Sequence, residues 1–409
     1  MQPILVASGE SGDCKTGGGE EEKPKHRLVV RIRNPSRLVN LVRVCLASSS
    51  CCRRQITTSV PTNPEINIFG QSKSIRTVFH KLSQSRVEPS LAQYGVPPVK
   101  TTVGSMNMNK QLFLRTDEGE HPLYARIRDD PRGKEHLDHL EAMWSDYRDF
   151  APKGFRRKLQ FEFYTRWWEM YLTLGLVRLG FDVTSSRSDK GPDLFLEVAG
   201  TRLWIEAVAP SIGTTSDCVP EPIMNGFGHF PKRECLLRLT QGLEGKQQAL
   251  AQYMQKSTIR PEDCCIIAIS ACNLNQFGSL LDWPCPAPLA LLAGVGHMVV
   301  TLDGSREPYC AQQKSISRDS GSPVDTAMFD REEFRVVSAV LYSKPDPLNA
   351  PPLPESSFSL FLNPRAIRHV PVEVSATMEA WVEERRKTEI VWRITQPANA
   401  DCYVAPLRV

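Results

Sequence analysis

The segment from Gly191 to Pro210, GPDLFLEVAGTRLWIEAVAP, constrains the fold of this 409-residue chain more than any other stretch. Its two runs, DLFLEV and RLWIEAVA, are rich in Leu, Ile, Val, Phe and Trp. Ala199, Gly200 and Thr201 between them have the small-residue chemistry of a tight turn. The pattern predicts a β-hairpin. If the chain reverses near Gly200, positions whose numbers sum to about 400 face one another, which sets Asp193 opposite Glu206, Ala207 or Val208. Directly opposed side chains sit ~5 Å apart and like charges there repel. Two acids placed this way need a cation, a shared proton or water between them.

The sequence before the hairpin offers a third acid. From about Lys158 to Leu179, KLQFEFYTRWWEMYLTLGLVRL is apolar on nearly every side, which predicts a helix packed on more than one face. Glu169 shares a face with Thr165, Leu172 and Leu176, with Trp168 at its edge. A carboxylate among such neighbours requires a ligand, a partner or a raised pKa. Phe181 to Thr184 reads as a short strand. After a loop, about Glu234 to Gln255 forms a second helix with an apolar stripe of Leu236, Leu239, Leu243, Leu250 and Met254. Lys246 lies on the border of that stripe and can snorkel toward the sheet. CCIIAIS, Cys264 to Ser270, has the continuous apolar character of a buried central strand.

The order is a helix with Glu169, three strands carrying Asp193 and Glu206, a helix and a strand. It resembles the core of the PD-(D/E)xK nuclease superfamily, including uncharacterised bacterial members. Pro192 and Asp193 match the PD element, Glu206 to Val208 the (D/E)xK element, and Glu169 the acid of the first helix. The resemblance covers about residues 156 to 270 and implies a magnesium-dependent phosphodiesterase acting on DNA or RNA. The acids hold Mg or Mn, and a lysine positions or activates the attacking water. Val208 stands where that lysine is expected. Lys246 on the following helix is the candidate for a migrated lysine, which makes Glu169, Asp193, Glu206 and Lys246 the candidate catalytic set. Asp193, Glu206 and the backbone carbonyl of Ala207 are the candidate metal ligands, since hard oxygen donors suit Mg or Mn better than zinc.

Each residue also has a plain reading. Asp193 after Pro192 suits a turn, Glu169 can pair with Arg166, and Lys246 can be a solvated border lysine. Glu206, between Ile205 and Ala207, is hardest to explain without a site, because an acid inside a buried strand needs compensation. Arg238 is expected on the outer face of its helix, meeting solvent. Lys232 and Arg233 form a charge pair before the helix, able to touch phosphate or simply solvated. Two rival functions follow: a degenerate nuclease fold that binds nucleic acid or protein without cutting, and a structural protein whose acids are satisfied by Arg and Lys.

Other chemistries lack support. The chain has no GxxxxGK[ST], HExxH or GxSxG pattern. The glycine run at Gly17 lacks the strand and helix of a phosphate cradle. Its 12 cysteines include no CxxC pair, and adjacent pairs such as Cys264 and Cys265 do not have zinc-ligand spacing. Their scatter points to a reducing, cytoplasmic setting, and no apolar run approaches the ~18 residues of a membrane span. The formal charge of +4 is unevenly spread. Residues 1–105 hold 15 Lys and Arg against 7 acids, which leaves 35 against 39 in residues 106–409. The folded part therefore shows no general basic footprint for nucleic acid, and such a contact would be local and metal-assisted.

The expected fold is α/β, with a restriction-endonuclease-like core of helix, mixed sheet and helix. A disordered tail over 1–110 precedes it, with Met106 or Met108 as the start of the functional polypeptide. A helical lead-in follows over 111–155, containing a helix at about Gly133 to Phe150. The nuclease-like core spans 156–270, and 271–409 extends the same domain. Val336 to Tyr342, Phe358 to Leu362 and Ile390 to Ile394 read as further strands, and Trp381 to Lys387 as a short charged helix.

Overall fold

The computed structural model describes residues 111–115, 119–185, 191–221, 230–274, 281–282, 285–299, 309–350, 354–385 and 389–395. It also gives the backbone of three strands, Leu28–Arg31, Ile56–Ser59 and Ala405–Arg408. The chain divides into two units at Ser105 and Met106. In the first, Leu28–Arg31 and Ile56–Ser59 pair in parallel. Apart from these strands, the expectations for the tail and for a start at Met106 or Met108 lie outside the described residues.

The second unit opens with helices α1 (Pro122–Asp129) and α2 (Lys134–Tyr147). The single long helix expected from Lys158 is two, α3 (Phe155–Phe161) and α4 (Phe163–Arg178). Glu162 between them leaves the helical region at φ −108°, ψ 45°. Its N–H still reaches Lys158 O at 2.8 Å and its carbonyl accepts from Arg166 N at 3.0 Å, so the break costs little backbone bonding.

Next come β1 (Val183–Ser185), β2 (Leu194–Val198) and β3 (Thr201–Val208), then α5 (Lys232–Gln255) and β4 (Cys264–Ser270). The β2–β3 hairpin has Leu194 opposite Ile205 and Val198 opposite Thr201. Ala199 and Gly200 both have positive φ, 51° and 74°, as a two-residue turn matching the twist of its strands requires.

Helix α6 (Ala287–Leu292) precedes β5 (Val295–Val299) and β6 (Tyr309–Gln312). A separate small hairpin of β7 (Ser315–Ser317) and β8 (Pro323–Asp325) follows. The chain continues as β9 (Ala339–Ser343), β10 (Ser359–Leu362), α7 (Val372–Ser375), β11 (Glu379–Arg385), β12 (Glu389–Ile394) and β13 (Ala405–Arg408). The fold is mixed α/β with one large mixed sheet, ordered β1-β2-β3-β4-β9-β10-β11-β12-β13-β6-β5. The strands after Ser270 thus extend the sheet of the hairpin. β4 lies between β3 and β9, parallel to both, and all seven of its residues are buried.

β11 corrects the sequence reading, which made Trp381 to Lys387 helical. Its Glu and Arg residues favour helix in isolation, but Ala380 and Trp381 are buried between β10 and β12. The charges beyond them pair within the sheet, as Arg393 on β12 does with Glu384 at 2.8 Å. Ladder bonds and burial outweigh local preference.

Side chains alternate across the central strands. Leu203, Ile205 and Ala207 of β3, with Ile266 and Ala268 of β4, pack on the α4 side. Trp204 and Val208, with Cys265, Ile267 and Ile269, pack on the α5 side. The Trp168 indole of α4 donates to Ala268 O at 3.1 Å. Gly175 is a slot in the same helix, because a Cβ there would lie 2.4 Å from the Phe358 ring.

Candidate active site

By the alternation of β3, Glu206 faces α5 with Trp204 and Val208. It is only 2% exposed. The hairpin register continues one step past Leu194 and Ile205 to bring Asp193, at the mouth of β2, beside Glu206. The Ala207 N–H donates to Asp193 Oδ2 at 2.7 Å and pins that carboxylate to β3. A residue's N–H and C=O leave an extended strand on one edge, so the Ala207 carbonyl faces the Asp193 side as well.

Lys246 arrives from α5. Gly242, one turn earlier, sits against Val208, Pro210 and Ile269, and that close approach brings the helix down on the mouth of the hairpin. The Lys246 ammonium donates to Glu206 Oε2 and lies 3.4 Å from Asp193 Oδ2. The lysine snorkels inward, as its border position allows. Val208 is spent on packing beneath the helix that supplies this ammonium.

One ammonium serves two carboxylates, and the electrostatics follow. Burial and the neighbouring Asp193 charge push Glu206 up to about 7 despite Lys246. Burial alone would lower Lys246, but Asp193 and Glu206 outweigh it and hold the ammonium above its ordinary range.

Glu169 is placed differently. Arg166, one turn earlier on α4, donates to its two oxygens at 2.7 and 2.9 Å and to Glu162 at 2.9 Å. Burial raises Glu169, Arg166 opposes this, and the nearby Asp193 charge raises it further. Buried Tyr147 of α2 feels both Glu169 and Asp193. Glu169 therefore shares the electrostatic neighbourhood of Asp193 while carrying its own guanidinium partner.

The structure brings Asp193, Glu206 and Lys246 into contact and leaves Glu169 in an adjoining ion pair. The sequence reading missed Tyr253, whose hydroxyl donates to Gly191 O at 3.4 Å. Its signal was its place two helical turns beyond Lys246. Arg238 does not simply meet solvent. Its Nε donates to Ser211 O at 2.9 Å, anchoring the chain just after β3. Lys232 and Arg233 belong to the first turn of α5, where Arg233 pairs with Glu234 and Asp319.

Among the described residues, no group of three or more His, Cys, Asp or Glu side chains is arranged to hold a metal ion. No described helix is long and apolar enough to cross a membrane. Comparison of the chain with protein-family models, curated proteins and solved structures gave no match.

Proposed function

We propose that this protein is a metal-dependent nuclease that hydrolyses phosphodiester bonds of DNA or RNA. In this reading α4, β1 to β3, α5 and β4 form a restriction-endonuclease-like core of PD-(D/E)xK type. The observation that carries it is the reach of Lys246, from a separate helix, to both Asp193 and Glu206. The ammonium stands on the face of β3 shared by Glu206 and Val208, where the resemblance calls for a lysine.

The donor set suits magnesium or manganese. Magnesium is typically bound through one or two carboxylates plus substrate phosphate, rather than in an all-protein cage. Asp193 and Glu206 supply those two carboxylates, and the Ala207 carbonyl is a further oxygen on the same edge. Asp193 and Glu206 would hold the cation, which would supply charge neutralisation at the phosphate and a lowered pKa for water. Lys246 contributes fixed positive charge in a half-buried corner, where it acts strongly on a phosphate dianion forming in the transition state. Burial and Asp193 raise Glu206 in the metal-free site, and a bound cation would hold its carboxylate ionised as a ligand. The Ala207 N–H keeps Asp193 oriented, and Glu169 adds negative field behind it.

A cleavage assay with manganese on plasmid, single-stranded DNA and RNA tests the reading directly. Wild-type protein should cut at least one substrate, and Glu206→Ala should cut none. Manganese should also raise the thermal midpoint of wild type and leave Asp193→Ala unmoved. A metal-induced shift without cutting would favour a second reading, a nuclease fold that binds nucleic acid or protein without hydrolysis. The replacement of the motif lysine by Val208 and the engagement of Glu169 by Arg166 support that alternative. No metal effect at all would remove both.

A further inference from the structure

Tyr253 lies on α5 seven residues beyond Lys246, so the two side chains leave the helix on nearly the same face. Its hydroxyl donates to the Gly191 carbonyl oxygen at 3.4 Å, and the Glu206 charge acts on the same phenol. Gly191 stands two residues ahead of Asp193, and the intervening Pro192 is buried with its φ fixed by the ring. Movement of the Gly191 carbonyl is therefore passed directly to Asp193. On the β3 side the Asp193 carboxylate is pinned by the Ala207 N–H. On the α5 side, the same corner is held by Lys246 and Tyr253. Lys246 has a flexible four-carbon stem, whereas the tyrosine ring is rigid and sets a distance.

We propose that Tyr253 is a positioning residue of this site, whose hydroxyl ties the Gly191–Asp193 approach to the helix bearing Lys246. The assignment rests on the metal-dependent reading of the site and adds to it the element that holds Asp193 at its distance from that helix.

Tyr253→Phe removes the oxygen and keeps the ring, which preserves packing. Hydrogen exchange of full-length, metal-free protein should show the amides of Gly191, Asp193 and Leu194 exchanging about 3- to 10-fold faster in the variant, the loss of one net hydrogen bond. The rest of β2 and β3 should be unchanged. Calorimetric titration with manganese chloride should show affinity ~10-fold weaker in the variant, the usual size of a lost orienting contact. Unchanged exchange at Gly191, Asp193 and Leu194 overturns the proposal. So does an unchanged manganese affinity in Tyr253→Phe when wild type binds the metal. If wild type binds no manganese, the metal-dependent reading falls, and the exchange measurement alone decides whether Tyr253 fixes this segment.

Discussion

Two buried acids, Asp263 just ahead of β4 beside the turn end of β3 and Glu206 near the mouth end of β3, are handled in opposite ways. Near the turn, Asp263 accepts from Arg202 Nε at 2.9 Å and Nη2 at 2.5 Å, from Trp204 Nε1 at 2.9 Å and from Arg260 N at 2.9 Å. Burial alone would raise its carboxyl, but the hydrogen bonds from Arg202, Arg260 and Trp204 prevail and hold it below its ordinary value. Near the mouth, Glu206 shares one ammonium with Asp193 and is pushed up to about 7. The first acid has more donors than it needs and the second has too few. A protein that builds the first arrangement a few residues away has the means to neutralise the second. The deficit at Glu206 is therefore read as a feature of function.

The largest expected effect is on stability at the turn end. Asp263→Ala strands the Arg202 charge and the Trp204 and Arg260 donors, and should cost about 3 to 5 kcal/mol in urea denaturation. A loss under about 1 kcal/mol would break the comparison. At the mouth the loss should fall on activity. Lys246→Ala should reduce manganese-dependent cutting by roughly 100-fold, the scale of one removed electrostatic stabiliser. Adding Val208→Lys, on the face of Glu206, should recover about tenfold of it, since the charge returns without its optimal placement. No recovery would count against the view that Lys246 replaces the motif lysine.

The two ends should also respond to pH with opposite signs. Glu206 has a raised pKa in the folded state, so its protonated form is favoured by folding. Stability from this group is full below the ordinary glutamate value of 4.5 and is lost as pH rises through about 7. Asp263 has a lowered pKa, so its contribution is present above the ordinary aspartate value of 3.8 and is lost as pH falls below it. Thermal midpoints from pH 3 to pH 8 should show both slopes. Glu206→Gln should flatten only the upper slope, and Asp263→Asn only the lower. The smallest effect concerns Asp193→Ala, which relieves a repulsion with Glu206 at the expense of the Ala207 N–H and Lys246 contacts. It should leave stability within about 1 kcal/mol of wild type, or raise it.

The hairpin and its acids were legible because period-two alternation and a small-residue turn leave little freedom in register. The expected pairing near a sum of 400 differs by one from the observed Leu194 and Ile205. The inward reach of Lys246 followed from its angle on the helix. Glu169 was harder, because spacing alone allowed both a site role and the Arg166 pair that the structure shows. The break at Glu162 left no mark in a stretch apolar on every side. β11 was misread because its charges signal helix locally, while its place between β10 and β12 is a long-range property. Tyr253 escaped because its significance depends on Gly191, which lies 62 positions away.

The placement of β4 between β3 and β9 bears on any attempt to transplant this chemistry. A fragment ending at Ser270 would include every residue proposed for catalysis and would still be unsuitable as a portable module. Its last strand, buried along its whole length in the intact chain, would present a bare backbone edge where β9 belongs, a template for self-association. A shortened form of this unit must keep β9 or supply a substitute for it.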